Sequence, residues 1–181
     1  MPQAPPKKPM KTNSGLEGIE LRRLTPSDSI SELTRLLHRA YANLAAMGLR
    51  YMATHQSEEV TQRRVDEGEC YVATFAGALV ATIIFKSVEQ TRGSLWLDRS
   101  DVASLGQFAV APELRSKGLG ARMMDLVESR GVEAGATELA LDTAEPADHL
   151  VAWYRRREYR FIEYAQWKHT NYRSVIMSKA I

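Results

Sequence analysis

Apolar positions recur with a strand period in some stretches of the chain and a helical period in others. Ile19-Glu20-Leu21-Arg22 alternates and predicts a first strand. Thr25-Pro26-Ser27-Asp28 has the form of a helix start, with Thr as cap, Pro in the first turn and an acid three residues on. Leu33, Leu36, Leu37, Ala40, Tyr41 and Leu44 then recur at three and four residues, which predicts a helix with one buried stripe. That pattern breaks at Met47-Gly48, and Ser57-Glu58-Glu59 opens a second helix reaching Arg64. Residues 70–75 and 79–85, rich in Val, Ile, Thr and aromatics, predict a hairpin turning at Ala76-Gly77-Ala78. A polar connection over 89–101 leads to a fourth strand at 104–110. A helix over about 118–129, a strand at 137–143, a short helix at 147–156 and a closing strand pair at 161–167 and 172–178 complete the pattern. The order βααβββαβαββ predicts an α/β layered fold, with helices packed on a mostly antiparallel sheet.

Composition narrows the class. A chain of 181 residues with 44% hydrophobic and 25% charged residues has the content of one ordinary globular domain, here residues 16–181. Residues 1–15 are Pro- and Lys-rich with little to bury, and predict a disordered tail. A net charge of +2 creates no global field for nucleic acid, so no nucleic-acid partner is expected. No apolar run approaches the roughly 20 residues of a spanning helix, so no membrane role is expected. Cys70 is the single cysteine and has no internal partner for a disulfide, which fits a reducing, cytoplasmic setting.

The most informative stretch is residues 110–131, VAPELRSKGLGARMMDLVESRG. A strand ending at Phe108-Ala109-Val110 runs through a Pro-containing turn into Arg115-Ser116-Lys117-Gly118-Leu119-Gly120-Ala121 and then a helix. Glycines admit an anion close to the backbone, and the free amides of a first helical turn point at it. Arg115 and Lys117 add positive charge at the rim. A P-loop would need Gly-Lys-Ser/Thr, but Lys117 precedes Gly118 and no hydroxyl follows to hold magnesium. A dinucleotide fingerprint would need a third glycine where Met123 stands. An ordinary strand–turn–helix with glycines for packing is the plainer alternative.

The Arg-x-x-Gly-x-Gly pattern after a strand ending in Val resembles the pyrophosphate-binding motif of the GCN5-related N-acetyltransferases, the GNAT superfamily. The element order resembles that fold too: a mostly antiparallel mixed sheet of six to seven strands with helices on both faces. The resemblance implies acetyl-CoA as cosubstrate, with no metal. It places the pantetheine arm along Phe108-Ala109-Val110, as an added strand, and the phosphates on the amides of Ser116 through Ala121. It also implies direct transfer to an amine, small-molecule or peptide. Dimerisation, common in this fold, is an expectation of the resemblance alone.

Tyr154 falls where many members carry a tyrosine in Tyr-x-x-x-Gly-Phe, and Tyr159 on the final aromatic. The implied role of Tyr154 is to protonate or hydrogen-bond the departing thiolate; a core residue, as Trp153 is expected to be, is the other reading. Two positions depart from the pattern. Glu158 replaces the usual glycine, so the turn there is expected to be built differently, and Ala147 stands where an asparagine is frequent. A base is not evident. The fourth strand offers Ser104 and Gln107 but no acid; Glu69, Glu89, Asp98, Asp101 and Asp142 are candidates, directly or through water, though each reads more readily as a solvated surface charge. Deprotonation through a chain of waters is the default expectation. An acceptor wall is expected in residues 47–55, with Tyr51 and Met52 as substrate contacts, or else a packed helix–helix loop. His38, His55, His149 and His169 lack metal-ligand spacing, and Cys70 reads as a small core residue. Arg155-Arg156-Arg157 is either a contact to the coenzyme's 3′-phosphate or an exposed helix face. No Cys or Ser sits beside a base in the pattern, which disfavours an acyl-enzyme. A non-catalytic acyl-CoA-binding module and a nucleotide-binding protein are the competing functions.

Overall fold

A computed structural model describes residues 16–181, so the expectation for residues 1–15 lies outside the described residues. The elements are β1 (Ile19–Arg23), α1 (Ile30–Ala46), α2 (Glu58–Asp66), β2 (Glu69–Phe75), β3 (Ala78–Lys86), β4 (Val102–Val110), α3 (Leu119–Glu133), β5 (Glu138–Ala144), α4 (Asp148–Arg156), β6 (Arg160–Ala165) and β7 (Ser174–Ala180), with short 3-10 turns at Met52–Thr54 and Pro112–Leu114. One seven-stranded sheet forms in the order β1-β2-β3-β4-β5-β7-β6. Every neighbouring pair is antiparallel except β4 and β5.

Local chemistry explains the elements and the departures from expectation. The α1 stripe is as the period predicts, with Leu33, Leu36, Leu37, Ala40 and Leu44 buried, but its cap is Ser29, whose side chain accepts the Glu32 amide. Thr25 does not cap it: the Asp28 carboxylate takes the Thr25 amide at 2.7 Å and is gripped at 2.7 Å by Arg22 on β1. The β2–β3 hairpin closes through Ala76 (φ 49) and Gly77 (φ 82), and positive φ at both positions suits the right-handed twist of a two-residue turn. β3 is buried along both of its faces from Leu79 to Phe85, so the sheet is covered on both sides. α3 runs past 129 to Glu133, and Gly131 near its end lets the helix approach the chain end closely: a Cβ there would stand 2.5 Å from Ile181 Cδ1. The closing strands begin and end one to two residues away from the expected bounds, at Arg160–Ala165 and Ser174–Ala180.

The site depends on one defect in this sheet. β4 and β5 pair in parallel over only three positions, Val102 with Glu138, Ala103 with Leu139 and Ser104 with Ala140. Past Ser104, β4 stays with β3 as far as Val110, and β5 stays with β7 as far as Ala144. The two strands therefore lose their shared ladder in mid-sheet. A bulge accompanies the parting: the β3–β4 register shifts between Thr82 and Ile84, opposite Gln107, which takes a left-handed φ of 48.

Candidate active site

A cleft of about 480 Å³ opens beside the free end of β4. Its lining includes Phe108, Ala109, Val110, Arg115, Ser116, Gly118, Gly120, Ala121, Tyr51 and Tyr154, so the structure brings most of the expected site residues together. Lys117 is exposed and outside the lining, and the Leu119 side chain turns into the core; only the amide of Leu119 belongs to the loop's free edge.

The loop has the character of an anion cradle. Ser116 (φ 60) and Gly118 (φ 91) both turn left-handed, and Gly118 caps α3 without any side-chain hydrogen bond. Among the described residues, the amides of Ser116, Lys117, Gly118, Leu119, Gly120 and Ala121 donate to no partner in the chain; the first bond of the helix is Arg122 N to Gly118 O. Such a run of unfilled donors at a helix start, carrying the positive end of the dipole, fits a diphosphate. Gly120 keeps the floor open, since a Cβ there would meet Phe108 Cζ at 3.4 Å and Trp153 Cζ2 at 3.8 Å. Arg115 donates to the Ala40 carbonyl, and Arg39 bridges to Glu113 at 2.7 Å, so α1 holds the loop from below. Of the three consecutive arginines, Arg156 lines the cleft, Arg157 is engaged by Asp125 and Glu128, and Arg155 is exposed.

Aromatic rings build the inner wall. The ring centroids of Phe108 and Trp153 lie 5.9 Å apart and those of Trp153 and Tyr154 5.1 Å apart, so Trp153 faces the cleft rather than serving only the core. Tyr154 is 7% exposed, and among the described residues its hydroxyl has no hydrogen bond. Burial pushes its ionisation well above the usual phenol range, with the charges of nearby groups, Asp142 included, adding in the same direction. Its proton therefore stays on the oxygen throughout the neutral range. Tyr41 donates to the Phe108 carbonyl at 2.9 Å. The Tyr51 hydroxyl accepts the Ala144 amide at 2.9 Å and meets Thr143 Oγ1 at 2.9 Å, which anchors the 47–55 segment to the end of β5.

The two departures have structural answers. Glu158 keeps a left-handed φ of 72 after α4, so the turn retains the shape a glycine would take instead of being built differently. Ala147 is fully buried at the start of α4 and packs with Leu44, Leu49, Ala144 and Tyr172.

A second cavity, about 370 Å³, adjoins the bulge and is lined by Met52, Gly106, Gln107 and a set of charged side chains. Met52 thus lies on this cavity while its neighbour Tyr51 lies on the cleft. Asp142 lines both cavities. Its Oδ2 accepts Trp167 Nε1 at 2.9 Å and Ser174 Oγ at 3.2 Å, which fixes the carboxylate at the junction. The other candidate bases lie elsewhere: Glu69 is locked to Arg130, Asp101 to Arg99, Glu89 to Ser87, and Asp98 accepts the Gly93 amide. Burial pushes the Cys70 thiol up to about 11, so it is a poor nucleophile. Among the described residues no cluster of three or more His, Cys, Asp or Glu side chains could hold a metal. No helix among them is long and apolar enough to cross a membrane. Tyr41, Asn43, His149 and Leu150 also line the cleft; they come from helices whose periodicity signals only a buried stripe.

Comparison with known proteins agrees with this geometry. The chain is 25% identical over 139 residues to S-(2-succino)cysteine N-acetyltransferase of Bacillus subtilis (strain 168), covering 76% of this chain and 82% of that one. It is similar in fold to a GNAT family acetyltransferase from Elizabethkingia anophelis solved with acetyl-CoA bound (TM-score 0.64, 13% identity, 91% of this chain and 99% of that one). It is likewise similar to the ribosomal-protein-S18-alanine N-acetyltransferase of Escherichia coli (TM-score 0.66, 18% identity, 90% of this chain and 94% of that one). Residues 31–159 match the model of the acetyltransferase (GNAT) family, and the chain belongs to that family of acetyltransferases.

Proposed function

We propose that this acetyltransferase takes its acetyl group from acetyl-CoA, held in the cleft between β4 and α4, and passes it directly to an amine that enters from the second cavity. The observation that carries the reading is the run of unpartnered amides from Ser116 to Ala121, at the rim of a cleft whose far wall ends at Tyr154. The diphosphate rests on those amides, with Arg115 and Arg156 beside it. The arm lies along Phe108-Ala109-Val110. Gly118 holds the loop in its left-handed turn, and Gly120 leaves the floor free of a side chain.

The chemistry acetyl-CoA supplies is a thioester: the amine nitrogen forms a bond to the acetyl carbon, the carbon–sulfur bond breaks, and CoA leaves as its thiolate. Asp142, fixed at the junction, is placed to take the amine's proton directly or through one water, in place of a longer water chain. Tyr154 presents an unshared O–H to the sulfur. A phenol this hard to ionise stabilises a thiolate by hydrogen bonding, and solvent completes the protonation. The relative acting on S-(2-succino)cysteine supports a free amino acid derivative as acceptor. A cytoplasmic setting accords with the lone buried Cys70.

Calorimetric titration of Gly120→Val with acetyl-CoA tests the reading. The valine side chain crowds Phe108 and Trp153 and closes the cradle floor, so binding is lost while the far-ultraviolet circular dichroism is kept. Undiminished binding by the folded variant overturns it.

A further inference from the structure

The second cavity has a charge its location does not require. Arg63 and Arg64 from α2, Lys86 from the end of β3 and Arg92 from the connection line it, against Glu67 and Asp142. Lys86 is answered by Glu67 at 2.6 Å. Among the described residues, Arg63, Arg64 and Arg92 have no carboxylate partner in the chain. Two of them are held in place by neutral groups. Arg64 donates to Gln56 Oε1 at 2.8 Å, and Arg92 donates to the Val88 carbonyl at 2.7 Å. The protein as a whole carries only +2, so this concentration is local.

A polar chain braces the wall. Gln56 Nε2 donates to Gln107 Oε1 at 3.1 Å and to Thr61 Oγ1 at 2.7 Å, and Thr61 meets Thr34 Oγ1 at 2.8 Å. Gln107 is 4% exposed, lines the cavity, and its Nε2 has no hydrogen-bond partner. A buried donor left unfilled costs stability unless a ligand accepts from it. Together these make a braced pocket with three guanidiniums that lack a carboxylate partner among the described residues and an orphan amide donor, opening at Asp142 onto the cleft.

We infer that the acceptor is a small amino compound carrying two or more carboxylates, bound by Arg63, Arg64 and Arg92 with its amine directed to Asp142. The inference rests on the acyl-transfer reading above and deepens it. A free amine near neutral pH is an ammonium, and three arginines would repel it from this cavity unless its own carboxylates reversed the sign. Arginine forks match carboxylates two bonds at a time, so the pocket orients the acceptor as well as holding it. A cavity of about 370 Å³ suits a molecule near dipeptide size rather than a folded protein surface. The Gln107 amide donates to a carboxylate or carbonyl oxygen of the same molecule.

The test measures CoA thiol release with matched acceptors: glutamate and a glutamyl dipeptide, glutamine amide as the analogue without a carboxylate, and putrescine as the doubly cationic one. The dicarboxylates are expected to exceed the other two by roughly tenfold or more in kcat/KM. The double variant Arg63→Gln, Arg92→Gln is expected to raise KM for the dicarboxylates about tenfold or more, with KM for acetyl-CoA moving less than twofold. Lysine at both positions restores part of the loss. A preference for putrescine or glutamine amide, or a double variant that weakens every amine equally, overturns the inference while leaving acyl transfer standing. Failure of acetyl-CoA to bind the native protein strikes instead at the acyl-transfer reading.

Discussion

The hydroxyl of Tyr41, on α1, donates to the main-chain carbonyl of Phe108, on β4, at 2.9 Å. This single bond crosses from helix to strand where β4 has lost β5 as a neighbour. It holds the free strand end in the position that an extended ligand arm would need. Tyr41→Phe removes it without leaving a hole. The expected result is a severalfold rise in KM for acetyl-CoA, with a stability loss of about 1 kcal/mol. Kinetics and urea denaturation on the same preparation separate the two; an unaltered KM would show that the strand end needs no such brace.

Tyr154→Phe keeps the ring stacked near Trp153 and deletes only the hydroxyl. Turnover should fall by about tenfold or more while acetyl-CoA affinity changes little. Because burial holds the proton on the oxygen, the native pH profile should show no ionisation of this phenol between pH 6 and 10. Full activity in the variant would remove the residue from the reaction.

Glu158 holds a left-handed φ of 72, a conformation that costs a side chain of this kind roughly 1–2 kcal/mol. Its ion pair with Lys179, 3.8 Å long and largely exposed, offsets little of that. Glu158→Gly relieves the strain and adds some freedom to the unfolded chain, for a net gain of roughly 0.5–1 kcal/mol. A thermal midpoint raised by roughly 2 °C is the expected readout; a lowered midpoint would show that the ion pair matters more than the backbone.

The Arg130 guanidinium holds the Glu69 carboxyl down at about 2, below its ordinary value of 4.5, with the Tyr71 hydroxyl adding to the effect. A depressed carboxyl contributes stability that is complete above its unfolded pKa and is lost as pH falls through the folded one. Stability should therefore drop between about pH 4.5 and 2. Glu69→Gln should flatten that limb and lower stability at pH 7 by about 1–3 kcal/mol. A parallel acid limb in the variant would assign the loss to other carboxylates.

The order of elements was readable because apolar periods of two and near three and a half are local properties of the chain. The candidate anion loop was readable for the same reason: Arg115 to Ala121 is contiguous, with a left-handed turn at Gly118 and an open floor at Gly120. Errors arose where a distant partner decided the outcome. Thr25 looks like a cap until Arg22 claims Asp28, and the helix expected to end near Ser129 runs on to Glu133 with Gly131 against the chain end. Trp153 has the spacing of a core residue, and only the position of β4 turns it to the cleft. The second cavity was invisible because Arg63, Arg92 and Gln107 come from three segments with no shared motif. Asp142 could not be told from four other acids until the parting of two strands put it between the cavities.

The three-residue pairing of β4 with β5 makes the sheet two leaves joined at one end, each secured by its own antiparallel neighbours. The gap is thus set during folding, and a guest need not pry it open. An extended molecule lying against the loose border of β4 would act as a splint across the divide. Occupancy should then stiffen the halves against one another, raising the protection of β4 and β5 amides from solvent exchange far more than that of β1.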